Sequence, residues 1–223
     1  MNKYELTTET LQFAGHILHR IKALKDFGSV KAGEFGGWIE NEKNLSQDDN
    51  AWIYGEAMVF GNAKVCENAK VYDHAKVYGK ANVYSNVEVS DYAEVYDDAK
   101  VYDNAFVFGY AKVYGNAKIF DYANVYDYAE VYSNVRIYGN ATIKGDAKVH
   151  DAVDYIVFKN FWSSERYFTW TRSNNMWSVG CFYGTGEELI KKAYADSEKS
   201  GREYERVVRY VESILADEQK KSN

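Results

Sequence analysis

Residues 93–122 read AEVYDD AKVYDN AFVFGY AKVYGN AKIFDY, and these five similar hexads decide the fold. The same unit extends in both directions, because every sixth residue from Ile53 to Val149 is Val or Ile, at 17 positions. Two residues earlier in each unit, 15 of the 17 positions are Ala, and the exceptions are Val87 and Val135. A repeat of this regularity indicates a structure made by stacking one small unit many times.

Each hexad predicts a short strand followed by a corner. Side chains alternate along a strand, so Ala and the aliphatic residue share the inner face, while the residue between them and the following Tyr point outward. The remaining two residues, such as Asp103-Asn104 and Gly115-Asn116, are types that tolerate tight turns and left-handed backbone angles. Tyrosines placed inside would overfill a narrow prism. The sequence therefore predicts a four-residue strand and a two-residue corner per hexad.

The spacing, an aliphatic residue and then a small residue four positions later, is similar to the hexapeptide repeat of left-handed parallel β-helix proteins. The stretch ALKDFGSVKAGEFGGWIENEKNLS (Ala23 to Ser46), followed by the Ala-x-Val-Tyr units, also resembles a group of phage, prophage and bacterial hexapeptide-repeat proteins, some described as acetyltransferase-like or polymer-forming. The resemblance implies triangular coils of three hexads, so 17 hexads give between five and six coils. One departure is clear: Tyr or Phe follows the aliphatic residue, where that family usually has a small or acidic one.

The predicted fold class is mainly β, a left-handed parallel β-helix with an N-terminal β cap and a small C-terminal α+β domain. The predicted zones are 1–50 for the cap, 51–153 for the β-helix and 154–223 for the C-terminal domain. A parallel coil leaves an unpaired strand edge at each end, so we expect the flanking zones to cover these edges.

The C-terminal zone predicts strands followed by two helices. The expected strands are Tyr155–Trp162, Tyr167–Arg172 and Met176–Tyr183. Capping-box patterns at Thr185–Glu188 and Ser200–Glu203 predict where the two helices begin. The second helix carries an apolar stripe that we expect to pack on the strands, formed by Tyr204, Val207, Val208, Val211, Ile214 and Leu215.

Composition limits the classes of partner. The chain has 27 Lys+Arg and 33 Asp+Glu, a net charge of -6, which disfavours nucleic acid as a partner. Cys66 and Cys181 have no ligand spacing, which favours free thiols in a reducing compartment. The polar N-terminus and the lack of a long apolar run predict a cytoplasmic protein with no membrane partner.

Enzymatic chemistry has limited support in the residues. The resemblance implies acyltransferases, which use a histidine as general base near a groove between subunits. This chain has His16, His19, His74 and His150, and spacing assigns no carboxylate to either His74 or His150. The repeat is also uninterrupted. We therefore predict no catalytic residue, no metal site and no cofactor, and keep a coenzyme A-dependent acyltransferase as the alternative.

The outward aromatic residues are the candidate binding site. With 18 residues per coil, three rows run along the prism, and the longest consists of Phe60, Tyr78, Tyr96, Tyr114 and Tyr132. The rings of such a row can stack on one another. A large amphipathic stripe is also typical of a protein interface. We predict that the longest row lies in the interface of a homotrimer.

The charged residues form two further rows. Lys76, Glu94, Lys112, Glu130 and Lys148 alternate in sign, as expected of cross-strand pairs. A second face carries Lys64, Asn82, Lys100, Lys118 and Arg136. This second row is either a solvated face or a surface that meets an acidic partner.

The resulting functional hypothesis is a non-enzymatic interaction protein. The resemblance implies a phage or prophage origin, and we expect a rigid β-helix that binds or blocks a host protein, such as a defence component, in the host cytoplasm. The alternatives are the acyltransferase and a polymer-forming structural protein, and the second is disfavoured because both ends of the coil are expected to be covered.

Overall fold

The computed structural model describes residues 2–222. Met1, the first residue of the predicted cap, and Asn223, the last residue of the predicted C-terminal domain, lie outside the described residues. The chain begins with three longer strands, β1 (Tyr4–Phe13), β2 (His16–Ala23) and β3 (Phe35–Ile39). β1 and β2 form an antiparallel hairpin, and β2 pairs with β3. A single 3-10 turn, Glu42–Asn44, then leads into the repeat.

The repeat folds into a three-sided parallel β-helix, as predicted. Its strands β4 to β20 are, in order, Trp52–Ile53, Met58–Val59, Lys64–Val65, Lys70–Val71, Lys76–Val77, Asn82–Val83, Glu88–Val89, Glu94–Val95, Lys100–Val101, Phe106–Val107, Lys112–Val113, Lys118–Ile119, Asn124–Val125, Glu130–Val131, Arg136–Ile137, Thr142–Ile143 and Lys148–Val149. Every third strand joins the same sheet, and β3 pairs with β5, so the N-terminal hairpin extends one of the three sheets. The paired part of each strand is two residues long, shorter than the four residues expected.

The inward positions are as predicted. The Ala and Val or Ile positions of the repeat form one continuous core along the axis, and nearly all of them are fully buried. Their carbonyls accept from the N–H groups of outward residues one coil earlier, as in the bond of 2.9 Å from Lys100 N to Ala117 O. Small inward residues therefore set the width of the prism.

The corners depend on left-handed backbone. The first corner residue of each hexad from Gly55 to Gly145 has φ between 55° and 69°, whether it is Gly, Asp, Ser or Glu. Several corner aspartates also accept a hydrogen bond from the corner N–H of the next coil, as Asp91 Oδ2 does from Gly109 N at 2.9 Å. At Asp151 the rhythm ends, because φ there is -135° and a 3-10 turn, Ala152–Asp154, follows.

The C-terminal zone contains a four-stranded antiparallel sheet and two helices. The elements are β21 (Tyr155–Lys159), β22 (Tyr167–Thr171), β23 (Met176–Val179), β24 (Phe182–Gly184), α1 (Gly186–Asp196) and α2 (Glu198–Ser222). The predicted stripe of α2 packs on this sheet, with Val208 and Val211 buried in the same cluster as Trp170 and Trp177.

The capping-box prediction is right for α1 and wrong for α2. Thr185 accepts from the N–H of Glu188, and the Glu188 carboxylate accepts in return from the N–H of Thr185. For α2, the side chain of Ser197 accepts from Ser200 N at 3.1 Å, and the helix begins at Glu198. Ser197 has extended backbone and separates the two helices, so it takes the capping position, and Ser200 already lies in the first turn.

The flanking zones cover much of both ends of the coil. At the start, Lys3 Nζ donates to Ala51 O at 2.9 Å, and Asn44 Nδ2 donates to Ala63 O at 2.9 Å. At the other end, Thr142 N donates to Thr169 Oγ1 at 2.9 Å. These bonds satisfy backbone groups that would otherwise be unpaired in the first and last coils. No helix within residues 2–222 is long and apolar enough to cross a membrane.

Candidate binding face and terminal cleft

The longest aromatic row forms one continuous stack. Neighbouring rings from Phe60 to Tyr132 have centroids 4.9 to 5.1 Å apart and planes within 2° to 6° of each other. The hydroxyls of Tyr78 and Tyr114 donate to Glu94 and Glu130, at 3.0 and 3.2 Å. The structure brings the predicted residues together, and their role in a subunit interface stays a prediction.

Part of this row is covered by the chain itself. The N-terminal hairpin places Phe13 with its ring centroid 5.8 Å from that of Phe60, and Leu18 and Trp38 complete a small cluster around Phe60. Phe60 is buried as a result, whereas the four tyrosines of the row are half-buried. Stacking and self-coverage remove much of the apolar exposure that motivated the trimer prediction.

A fourth stack was missed from the sequence. It consists of His74, Tyr92, Tyr110 and Tyr128, the second residues of one corner, with ring centroids 5.0 to 5.1 Å apart. Its tyrosines are the more exposed ones, at 49%, 50% and 66%. Counting 18 residues from a corner position, as was done for the strand positions, would have revealed this row.

The row with alternating charges behaves as its sequence predicts. Lys76 Nζ lies 3.1 Å from Glu94 Oε1, and Lys148 Nζ lies 3.4 Å from Glu130 Oε1. Such cross-strand pairs contribute modestly to stability, because they are partly exposed.

The second charged row contains four cations, one neutral Asn and no acidic residue. We call it the cationic face: it is the outward row of the five-stranded sheet, formed by Lys64, Asn82, Lys100, Lys118 and Arg136. Lys118 lies directly opposite Lys100 on one side and Arg136 on the other. Within residues 2–222, none of its cations makes a salt bridge. Like charges placed directly opposite destabilise a sheet, so this row opposes folding.

Beside the cationic face runs the second aromatic row, Tyr84, Tyr102, Phe120 and Tyr138. Its ring centroids are 5.0 to 5.3 Å apart and the rings are stacked. The guanidinium of Arg136 lies 5.1 Å from the ring of Phe120, a cation-π contact. Because the faces of Tyr102 and Phe120 are occupied by their neighbours, only the end rings of this row have a free face on which a nucleic-acid base could stack.

A cleft separates the last coil from the C-terminal sheet. We call it the terminal cleft; it lies between β18 and β21, and its lining includes Arg136, Tyr138, His150, Tyr155, Val157 and Tyr167. Tyr155 donates to the carbonyl of Arg136 at 2.9 Å, and burial raises the pKa of its phenol to about 12. At neutral pH this hydroxyl therefore remains a donor.

His150 has a carboxylate partner, contrary to the sequence-based expectation. Its Nδ1 lies 2.5 Å from Asp154 Oδ2, and the same carboxylate oxygen accepts from the N–H groups of His150 and Asp151, at 2.9 Å each. Asp154 is buried, while the His150 side chain is about half exposed at the rim of the cleft. The pair was missed because it forms only where the chain leaves the repeat and turns back on itself.

The other histidines have structural surroundings. His16 Nδ1 lies 2.9 Å from Glu40 Oε1, and the hydrogen bond from His16 is the main cause that lowers the pKa of the Glu40 carboxyl. Glu40 also accepts from Gly61 N at 2.7 Å, and the ring of His16 lies beside Phe60. This pair therefore ties the hairpin to the first coils.

Comparison with known proteins gives two short matches. A family described as the YdcK β-solenoid repeat matches residues 135–151, which include β18 and β20. The protein named "Uncharacterized acetyltransferase YdcK", from Escherichia coli (strain K12), is 39% identical over 64 residues, covering 25% of this chain and 20% of that protein. The chain thus spans about a fifth of the length of that relative.

These matches agree with the geometry of the coil. The matched segment begins at the inward residue Val135, includes two corners and ends at Asp151. Three-sided coils, inward Ala and Val, left-handed corners and a β-solenoid match together show that the chain has a hexapeptide-repeat β-helix fold.

Proposed function

We propose that this protein is a binding protein that holds an acidic protein surface along its cationic face. The observation that carries the proposal is the unbroken run of Lys100, Lys118 and Arg136, three cations that face one another without an acidic partner. The sheet beside it, made from the same repeat, alternates lysine and glutamate. The same repeat can pair opposite charges across strands, so a row of like charges reduces stability without need. A row of this kind is typical of a functional surface.

A protein partner accounts for the charges better than a nucleic acid does. The chain as a whole has a net charge of -6, so a long polyanion that extends beyond the row would be repelled. The aromatic rings next to the row already stack on one another. With the resemblance to phage and prophage proteins, the proposal extends to an acidic protein of a bacterial host as the partner.

The test uses short fluorescein-labelled poly-L-glutamate and fluorescence anisotropy at low salt. The variant Lys100→Gln with Lys118→Gln is expected to lose binding several-fold, because two cations of the row are removed. The matched control is Lys112→Gln with Lys148→Gln, which has the same net charge but alters the alternating row, and it is expected to bind as the parent does.

Equal losses in the two variants would show that only net charge matters and would contradict the proposal. Tighter binding of a single-stranded oligothymidylate than of poly-L-glutamate would indicate that the partner is a nucleic acid and not a protein.

A second candidate function is acyl transfer, favoured by the pair of His150 and Asp154. A buried carboxylate on Nδ1 orients the imidazole and leaves Nε2 to accept a proton from an attacking hydroxyl or amine. That nucleophile would attack the thioester carbonyl, and the coenzyme A thiolate would leave and take up the proton. The relative from E. coli is named an acetyltransferase, although its match covers only a fifth of that protein.

Thiol release from acetyl-coenzyme A tests this candidate. If the pair is catalytic, His150→Gln should abolish release and Asp154→Asn should reduce it strongly, while His74→Gln, which alters a corner histidine, should leave it unchanged. Release that is equal in all four proteins, or absent in the parent with a range of amine and hydroxyl acceptors, would reject the enzyme.

A further inference from the structure

The three sheets of the β-helix differ in how the N–H groups of their last strands are paired at the C-terminal end of the coil. In this coil the N–H groups of the outward strand residues point toward the C-terminal end, as those of Lys100 and Tyr102 do, so the last strand of each sheet presents such groups there without a further coil to accept them. On β20, Lys148 N donates to Ser173 Oγ at 2.7 Å and His150 N to Asp154 Oδ2 at 2.9 Å. On β19, Thr142 N donates to Thr169 Oγ1.

The end of the five-stranded sheet is only partly covered: the carbonyl of Arg136 accepts from the Tyr155 hydroxyl at 2.9 Å, and the N–H groups beside it are open. On its last strand, β18, the N–H groups of Arg136 and Tyr138 have no hydrogen-bond partner within the part of the chain that the structure describes. Both residues are exposed, and both line the terminal cleft. The opposite wall of the cleft includes β21, the edge strand of the C-terminal sheet. An unpaired strand edge at a cleft of this kind is the geometry that strand addition requires.

We propose that an extended peptide segment with an acidic side chain binds in the terminal cleft and adds to β18 as the next strand of the five-stranded sheet. The inference rests on the proposed function, because it names the kind of segment through which the acidic partner binds. Carbonyls of the segment would accept from the N–H groups of Arg136 and Tyr138, and its acidic side chain would lie beside Arg136.

The repeat itself indicates the chemistry of that segment. An added strand in register with β18 would place a small residue above Val135, an acidic residue beside Arg136, an aliphatic residue above Ile137 and an aromatic one beside Tyr138. In the register of 18 residues, the position after Arg136 falls on Asp154, an acid. The chain turns away before reaching it, and Asp154 pairs with His150 instead.

A second copy of this chain is a poorer occupant. End-to-end stacking would need free carbonyls at the start of the coil to meet the free N–H groups at its end. At the start, Lys3 covers the carbonyl of Ala51, the N–H of Trp38 bonds to Ala57 O at 2.9 Å, and the amide of Asn44 bonds to Ala63 O. The open edge therefore lacks a matching edge on another copy.

Two peptides taken from this chain provide the probes. The acetylated segment DYAEVYDD, residues 91–98, has the expected order of small, acidic, aliphatic and aromatic residues, and GNAKIFDY, residues 115–122, has lysine in place of the acid. With the isotope-labelled full chain, the first peptide is expected to slow amide hydrogen exchange at Arg136 and Tyr138, and the second is not.

Two substitutions at Tyr138 distinguish the contribution of its backbone N–H to peptide binding from that of its aromatic ring. Tyr138→Pro removes an N–H that has no partner in the folded chain, so the coil should keep its structure while the first peptide no longer binds. Tyr138→Ala removes the ring and keeps the N–H, and it should bind at most several-fold more weakly than the parent. Circular dichroism and melting temperature verify that both variants are folded.

Several outcomes would overturn the inference. They are slow exchange at both amides in the free parent, no change with the first peptide, equal binding of both peptides, or equal binding by the Pro and Ala variants. Concentration-dependent self-association that Tyr138→Pro removes would identify a second copy as the occupant. The failure of the proposed function is separate, because the comparison of the Lys100→Gln with Lys118→Gln variant and the Lys112→Gln with Lys148→Gln control tests the cationic face, and neither variant alters the N–H groups of Arg136 and Tyr138.

Discussion

Gly79 and Asp97 occupy successive turns of one corner, and both hold the backbone at positive φ, 69° and 56°. The two positions nevertheless need different side chains. A Cβ on Gly79 would lie 2.8 Å from the backbone nitrogen of Asp97, so glycine is needed there for space as well as for conformation. Asp97 contributes instead through its carboxylate, which accepts from Gly115 N at 3.2 Å.

This difference gives a prediction at the residue scale. Gly79→Ala should destabilise the protein by about 2 kcal/mol or more, from left-handed strain plus steric overlap. Gly139→Ala is the matched control, because Gly139 has φ 65° but open space around its Cβ position, and it should cost about 1 kcal/mol. Urea unfolding of the two variants measures the gap, and equal losses would mean that close approach at Gly79 has no role.

Residues that follow the period could be predicted, and residues that depend on its end could not. The inward Ala and Val positions and the stacked row from Phe60 to Tyr132 were predicted because each follows from a constant spacing along the chain. The pair of His150 and Asp154 depends on how the chain turns after the last hexad, which no spacing rule states. The open edge of β18 depends on which backbone groups the C-terminal sheet reaches.

At the scale of elements, the three faces of one repeat have different surfaces. One face carries alternating charges and another carries cations without acids, while one corner between faces carries an exposed tyrosine row. The α2 helix shows a limit of pattern reading at this scale. Ser200–Glu203 fits a capping box, but Ser197 stands before it and caps the helix first.

Substitutions in two of the aromatic rows test the predicted homotrimer. If Tyr78 to Tyr132 form the subunit interface, Tyr96→Ser with Tyr114→Ser should weaken association while the inward core stays intact. The control is Tyr110→Ser with Tyr128→Ser, which alters the more exposed corner row by the same chemistry. Light scattering gives the size of each protein.

A monomeric parent would contradict the trimer. If only the variant Tyr110→Ser with Tyr128→Ser dissociates, the subunit interface lies at the corner row and not at the row from Phe60 to Tyr132. Unfolding of the first variant, seen by circular dichroism, would mean that the stack stabilises the coil itself.

At the scale of the whole molecule, the stacked tyrosines predict sensitivity to alkali. Burial, together with Glu130, raises the pKa of Tyr114 to about 12, above the value near 10 of an unfolded chain. The raised pKa means that the folded state keeps a proton which the unfolded state loses. This contribution to stability is fully present below about pH 10 and is lost as the pH rises toward about 12.

The measurement is the free energy of unfolding in urea at several pH values between about 8 and 12. Tyr114→Phe keeps the stack and removes the ionisable hydroxyl, so its stability should fall less steeply over that window. Parallel curves for the parent and the variant would show that the Tyr114 hydroxyl does not titrate with folding.

The central claim is that the cationic face lowers stability and serves binding, and melting with and without poly-L-glutamate tests both parts in one measurement. In Lys118→Glu, the middle of the row gains an acid between Lys100 and Arg136, the arrangement that the neighbouring sheet already has in Lys112, Glu130 and Lys148. The account predicts that this variant melts at a higher temperature than the parent, and that poly-L-glutamate raises the melting temperature of the parent only. A variant that melts lower than the parent, or that responds to poly-L-glutamate as the parent does, would contradict it.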